Sequence, residues 1–210
     1  MSSKFFIDFD GTITDVWARY FAIYKDFFCL SDNFFNEYKR LKYLYQNDRE
    51  LIKQGLMLDE AAIVSFADYK RKWLEDGKYL ALDTLLIDRS LLRKLFQTTD
   101  SKVLTVRNSE SHFMMQLDSL GISYLKEFSV VLPPAGINTK LDWLRETAGN
   151  DTFFMIGDSE IDMQVGKIPG CTTLFVQTGL RDCNQIPAER RPDMIFKNLS
   201  NCLTEFMPFD

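Results

Sequence analysis

The chain has 210 residues and a mass of 24.5 kDa, which predicts one main domain with room for a smaller appended one. With 46% hydrophobic and 26% charged residues, its composition is that of a globular protein and excludes a fibrous or disordered one. The formal charge of -5 and pI near 5.0 provide no broad basic surface for nucleic acid. The four cysteines form no CxxC pair, so we expect reduced thiols rather than a zinc site.

Targeting and membrane signals are missing from the sequence as it stands. The first residues lack the long apolar segment of a signal peptide, and no stretch is long and apolar enough to cross a bilayer. We therefore expect a cytoplasmic protein without a nucleic-acid or membrane partner.

Short apolar runs alternate with helical patterns along most of the chain. Strands are predicted at residues 4–9, 102–106, 152–156 and 172–176. Helices are predicted at residues 109–120, 139–148 and 199–206, the first two ending before glycines. This alternation predicts a parallel α/β sheet wound by right-handed crossovers.

One interval breaks the alternation. Residues 15–84 carry no strand pattern and predict three or four helices, among them residues 16–28, 33–45 and 59–75. We interpret this interval as a small helical domain inserted between the first two strands, with residues 1–14 and 85–210 forming the core. Its helices are rich in aromatic residues and carry a basic set as candidates for substrate contact: Arg19, Lys39, Arg40 and Lys42.

The sequence Asp8-Phe9-Asp10-Gly11-Thr12 follows the first predicted strand. Two carboxylates two residues apart leave the strand on the same side, at the edge of an α/β sheet where ligands bind. A carboxylate held there can attack phosphorus, and the second can protonate the leaving oxygen and later deprotonate water. Gly11 would let backbone amides approach a phosphate, and Thr12 would brace the loop.

A second acidic sequence, Gly157-Asp158-Ser159-Glu160-Ile161-Asp162, follows another predicted strand. Clustered carboxylates suit Mg²⁺, which binds one or two of them together with substrate phosphate. Asp158 is the better ligand candidate, and Asp162, one helical turn later, would ligate directly or orient a neighbouring group.

Three further residues fit a phosphate site. Thr105 ends the second predicted strand, where its hydroxyl can donate to a phosphate oxygen, and Arg107 just beyond it can meet an anionic group of the substrate. Lys140 lies near the start of a predicted helix and offers a point charge beside a positive helix end.

The order of these residues, DxDGT, then a strand-end Thr, a Lys and GDxxxD, resembles the four motifs of the haloacid-dehalogenase-like (HAD) hydrolases, in their phosphoglycolate phosphatase and β-phosphoglucomutase-like branch. Residues 191–196 and 199–200 are similar to the last strand and closing helix of that family. The match departs from many relatives at Lys140, which precedes Leu141 where they carry Lys-Pro.

The resemblance implies a Rossmann-like core with a helical cap inserted after the first motif. It implies that Asp8 is the nucleophile and Asp10 the general acid and base. Mg²⁺ would be held by Asp8, the backbone carbonyl of Asp10, and Asp158, with Asp162 nearby, while Thr105 and Lys140 would bind phosphate.

Three functions are compatible with these motifs. A magnesium-dependent phosphatase acting on a small phosphorylated metabolite is favoured, because a cap over the pocket would exclude large substrates. A sugar phosphomutase shares the run Asp10 to Asp15, although Tyr20 stands where its loop usually offers a histidine. A binding or regulatory protein that keeps the phosphate pocket without turnover is the third.

Overall fold

The fold is built on a six-stranded sheet in which every pairing is parallel. The computed structural model describes residues 4–45, 47–149 and 151–206. The strand order is β5-β4-β1-β6-β7-β8. The strands of this sheet are β1 (Lys4–Ile7), β4 (Asp100–Val106), β5 (Ser129–Leu132), β6 (Phe153–Gly157), β7 (Cys171–Val176) and β8 (Met194–Phe196). The predicted Rossmann-like α/β fold is confirmed.

Helices cover both faces of the sheet, which is why its central strands are apolar along their whole length. They are α6 (Arg89–Thr98), α7 (Glu110–Ser119), α8 (Thr139–Thr147), α9 (Glu160–Met163) and α10 (Leu199–Phe206). Side chains alternate between the two faces along β1: Phe5 and Ile7 pack in one buried cluster with α6, α7 and α10, whereas Phe6 packs in the other with α8.

A two-stranded antiparallel ribbon, β2 (Thr14–Asp15) with β3 (Thr84–Leu85), stands beside the sheet. Between these strands run α1 (Trp17–Phe28), α2 (Phe35–Leu44), α3 (Asp48–Glu50), α4 (Glu60–Trp73) and α5 (Gly77–Leu80). We call this segment the helical insertion. Its buried apolar residues, from Trp17 to Tyr79, form a cluster of their own, which includes stacked and tilted ring contacts around Tyr24 and Phe66.

The elements agree with the sequence patterns, with local differences. The first strand ends at Ile7 rather than Phe9, because the Phe9 carbonyl accepts hydrogen bonds from the amides of Ile13 and Thr14 in a tight turn. Gly121, with φ of +69°, follows α7 as expected. Strand β5, helix α6 and the short ribbon were not predicted individually. The division into two folding units stays a prediction.

No helix in the described ranges combines the length and apolarity that a membrane span requires.

Candidate active site

The strand order brings separate parts of the chain to one edge of the sheet. Strands β4, β1 and β6 are neighbours, so their carboxyl ends place Thr105, Asp8 and Asp158 side by side. The Asp8 amide donates a hydrogen bond of 2.8 Å to the Ile156 carbonyl. This bond extends the pairing of β1 and β6 up to residues 8–12, which we call the acidic loop. The backbone therefore fixes where these side chains start.

Three buried carboxylates converge at this edge. One oxygen each of Asp8, Asp158 and Asp162 lies within 4.8 Å of the others. Lys140 joins two of them, its Nζ lying 2.6 Å from Asp8 Oδ1 and 2.6 Å from Asp162 Oδ1. Ser159 caps α9 and donates its hydroxyl to Asp162 Oδ2 at 2.6 Å, which holds that carboxylate in place.

The charges of this cluster do not balance. Burial raises the pKa of Asp8 to about 6 against the opposing charge of Lys140. Burial and the charges of Asp8 and Asp162 also raise the pKa of Asp158 well above its usual range. Burial opposes the charge of Lys140, but Asp162 and Asp8 raise its pKa above the ordinary lysine value. One ammonium thus faces three carboxylates, and this hard, oxygen-rich donor set fits a Mg²⁺ ion.

Glycines let the backbone approach this cluster. A Cβ on Gly11, whose φ is +77°, would come within 2.5 Å of Asp158 Oδ2. A Cβ on Gly179, in the loop after β7, would overlap the Asp158 carboxylate outright. The Thr178 hydroxyl donates to the Gly11 carbonyl at 2.5 Å, which ties that loop to the acidic loop. Gly179 was missed in the sequence because no motif marks it.

Asp10 belongs to a separate ring of polar contacts. Arg107 Nη2 lies 2.5 Å from Asp10 Oδ1 and also donates to Gln116, 3.2 Å away. Gln116 donates to Asp83 Oδ2 at 2.7 Å, and Asp83 Oδ1 lies 3.2 Å from Arg19 Nε. Arg19 Nη2 lies 2.8 Å from Asp10 Oδ2 and closes the ring. The ring joins the loop that follows β1, both ends of the helical insertion, the loop after β4 and the second half of α7.

The ring sets the charge of Asp10. Burial would raise the pKa of Asp10, but the guanidinium groups of Arg107 and Arg19 lower it below its usual value. Asp10 is therefore held as an anion in this arrangement.

A cavity of about 330 Å³ lies between the sheet edge and the helical insertion. On the sheet side it is lined by what we call the acidic wall, Asp8, Asp10 and Asp158. Three cations also line the cavity, Lys42 and Lys70 from the helical insertion and Arg181 from the loop after β7, and we call them the basic wall. Other residues lining the cavity include Tyr20, Asn47, Asp48, Ser159 and Leu180.

The residues predicted to bind phosphate differ in how close they lie to Asp8 and the cavity. Lys140 reaches Asp8, and Thr105 is buried at the end of β4. The buried hydroxyl of Thr12 has no hydrogen-bond partner among the described residues. Arg107 is not among the residues that line the cavity, and its buried guanidinium contacts Asp10, so its substrate contact stays a prediction.

Among the basic residues predicted to contact substrate, Lys42 alone lines the cavity. Arg19 is fully buried against Asp10 and Asp83. Lys39 lies over the rings of Trp17 and Phe35, and Arg40 pairs with Glu37. Lys70 and Arg181 were missed, because sequence alone does not tell which face of a helix or loop turns to the cavity.

Comparisons with known proteins agree with this geometry. A family model described as HAD-hydrolase-like matches residues 138–202, the segment that carries Lys140, Asp158 and Asp162. The chain resembles the haloacid-dehalogenase-like hydrolases. The resemblance predicted from the motifs is confirmed. Among curated proteins, none matches the chain significantly.

Solved structures share the fold over nearly the whole chain. A haloacid dehalogenase-like hydrolase from Streptococcus pneumoniae has a TM-score of 0.74 at 17% identity, covering 98% of this chain and 99% of its own. A predicted phosphoglycolate phosphatase from Haemophilus somnus has a TM-score of 0.62 at 18% identity, covering 99% and 98%. Protein Tyrosine Kinase A from Mycobacterium tuberculosis has a TM-score of 0.68 at 15% identity, covering 98% of both chains. The fold alone therefore does not decide the reaction.

Proposed function

We propose that this chain is a magnesium-dependent phosphatase that hydrolyses a small phosphorylated metabolite through an aspartyl-phosphate on Asp8. The observation that carries the proposal is the convergence of Asp8, Asp158 and Asp162 beside Lys140, with Asp8 and Asp158 lining a cavity. A carboxylate nucleophile, a cation site and a fixed ammonium are the parts that phosphoryl transfer requires.

Asp8 and Asp158, with Asp162 nearby and the backbone carbonyl of Asp10, would hold the Mg²⁺ ion. When bound, the ion would neutralise phosphoryl oxygens that otherwise meet three carboxylates. Lys140 would hold Asp8 in position through Oδ1 and supply positive charge to the phosphoryl group. Thr12 and Thr105 supply hydroxyl groups at the same edge.

In the first step an Asp8 carboxylate oxygen attacks phosphorus, and the bond from phosphorus to the leaving oxygen breaks. A proton from Asp10 neutralises that oxygen as the alcohol departs. In the second step Asp10 takes a proton from water, whose oxygen attacks phosphorus and displaces Asp8. Both proton transfers return Asp10 to its starting state.

The contacts of Asp10 favour the second of these steps in the described arrangement. Held by Arg19 and Arg107, Asp10 is an anion, the state needed to take a proton from water. To act as the acid, Asp10 must turn away from at least one guanidinium. Because Arg19 belongs to α1, we propose that movement of the helical insertion accompanies this change. In this role the insertion, predicted as residues 15–84, is a cap domain over the cavity.

The test is phosphate release from p-nitrophenyl phosphate by the purified chain. We expect activity with Mg²⁺, loss of activity in EDTA, and recovery when Mg²⁺ is returned. The Asp8→Asn variant should lose activity by several orders of magnitude, because the nucleophile is removed without a change of shape. Activity retained in Asp8→Asn, or in a metal-stripped Asp158→Ala variant, contradicts the proposal. Transfer of the phosphoryl group to a sugar instead of water would indicate a phosphomutase.

A further inference from the structure

The basic wall of the cavity is made by residues that converge from separate elements. Lys42 comes from α2, Lys70 from α4, and Arg181 from the loop after β7. We propose that this wall binds a second anionic group, a carboxylate or a second phosphate, on the leaving group of the substrate. The inference rests on the proposed function and names the substrate class for it.

The two lysines share a single carboxylate. Lys42 Nζ lies 2.8 Å from Asp48 Oδ1, and Lys70 Nζ lies 2.6 Å from Asp48 Oδ2. The Tyr24 hydroxyl also donates to Asp48 Oδ1 at 2.7 Å. Two ammonium groups on one carboxylate leave one positive charge without a counter-charge, although the Lys42 side chain is only 3% exposed. Buried charge of this kind is costly unless it is paired.

The cations also repel one another. Burial lowers the pKa of Lys42, and the charges of Lys70 and Arg181 lower it further against the opposing effect of Asp48. An anion placed between them would relieve this repulsion and replace the water lost on burial.

Arg181 has an unused donor. Its Nε lies 3.2 Å from Glu160, but its buried Nη1 has no hydrogen-bond partner among the described residues. Buried donors are nearly always paired in folded proteins, and Arg181 lines the cavity, so its guanidinium has donor capacity left for an anion bound there.

The two walls divide the cavity by charge. We infer that the acidic wall, with Mg²⁺, would receive the phosphoryl group and that the basic wall would bind the other end of the substrate; both line the same cavity. The Lys70 ammonium lies 5.0 Å from the ring centre of Tyr20, which lines the same cavity, so its position is fixed by packing. A leaving group with an ammonium would be repelled by this wall, and a neutral one would leave it unpaired.

Matched substrates test the proposal. One pair is 3-phosphoglycerate and glycerol 3-phosphate, which differ by a carboxylate; the other is propane-1,3-diol bisphosphate and its monophosphate. We expect kcat/KM to favour the member with the second anion by about tenfold or more in at least one pair, and the favoured pair identifies the anion. Equal kcat/KM in both pairs overturns the proposal.

Variants then test which residues cause the preference for a second anion. Lys70→Met and, separately, Arg181→Met should reduce the preference at least severalfold, after thermal unfolding has verified that each variant folds. Lys72→Met removes an exposed lysine from the same helix and should keep the preference. A full preference in both cavity variants contradicts the proposed subsite.

Binding separates this inference from the proposed function. Calorimetry with Asp8→Asn and Mg²⁺ should give tighter binding of 3-phosphonopropionate than of propylphosphonate, neither of which can be hydrolysed at phosphorus. That binding preference in a chain that hydrolyses no phosphate ester upholds the anion subsite and contradicts the phosphatase. Turnover with equal binding of these two phosphonates, and with equal binding of propane-1,3-bisphosphonate and propylphosphonate, does the reverse.

Discussion

The two walls of the cavity are built by different means. On the acidic wall, Asp8 and Asp158 follow hydrogen-bonded parallel strands. The backbone at Gly11 and Gly179 lies so close to the Asp158 carboxylate that a side chain at either position would clash with it. On the basic wall, Lys42 and Lys70 come from two helices whose packing alone brings them to Asp48. Catalytic groups need precise placement, which strands give, whereas recognition of a leaving group tolerates placement by helix packing.

The walls also differ in how their charges are compensated. Three carboxylates cluster at the sheet edge with one ammonium, which contacts two of them, and two ammonium groups share one carboxylate in the helical insertion. Each side therefore has an unpaired charge of opposite sign. This difference underlies our two proposals, a cation for the acidic wall and an anion for the basic wall.

Removal of Lys140 should have the largest effect on stability. Lys140→Met leaves Asp8 and Asp162 buried without their shared cation, which should lower the free energy of unfolding by about 3–5 kcal/mol. Lys102→Met, which removes an exposed lysine from β4, should change it by no more than about 0.5 kcal/mol. Urea unfolding in EDTA measures both. Equal stability of the two variants would contradict the charge balance described for the acidic wall.

The ring of polar contacts around Asp10 should contribute less to stability than Lys140 does. Arg107→Met removes one of two guanidinium groups from Asp10, and we expect a loss of about 2 kcal/mol because Arg19 remains. Arg71→Met, in the exposed pair with Asp68 on α4, should cost no more than about 0.5 kcal/mol. Chemical unfolding under the same conditions compares them. A loss in Arg107→Met as small as that in Arg71→Met would show that the ring around Asp10 adds nothing to stability.

The smallest predicted change in stability is an increase. Asp158 has no cationic partner in the described structure, so Asp158→Asn removes a repelled charge and should raise the stability of the metal-free protein, by about 1 kcal/mol. The same variant should lose the increase in Tm that Mg²⁺ gives the parent chain. Thermal unfolding with EDTA and with Mg²⁺ tests both halves. A lower Tm in EDTA, or an undiminished response to Mg²⁺, would count against Asp158 as a metal ligand.

Residues at strand ends could be predicted from the sequence to lie together, whereas cavity residues on helices and loops could not. Asp8, Thr105 and Asp158 follow strands, and the ends of adjacent parallel strands meet at one edge, so their proximity is predictable without knowing any side-chain direction. The Rossmann-like fold follows from the same alternation of strands and helices. In contrast, Lys70 and Arg181 are ordinary surface residues by pattern, and the packing that turns them to the cavity depends on contacts distant in sequence.

Arg107 illustrates the limit at the acidic wall itself. Its position after Thr105 suggested a substrate contact, but the side chain turns to Asp10 because Gln116 and Asp10 offer it acceptors inside the core. Neither acceptor is close to it in sequence. The position of a strand end can thus be predicted, whereas the partner of a long side chain cannot.

Beryllium fluoride tests the proposal that Asp8 accepts the phosphoryl group. The chain is treated with beryllium fluoride and Mg²⁺, and the structure of the complex is solved alongside that of Asp8→Asn. We expect one beryllium fluoride group bonded to an Asp8 carboxylate oxygen and none in the variant. An adduct on another carboxylate, or no adduct on Asp8 with Mg²⁺ present, would contradict the account.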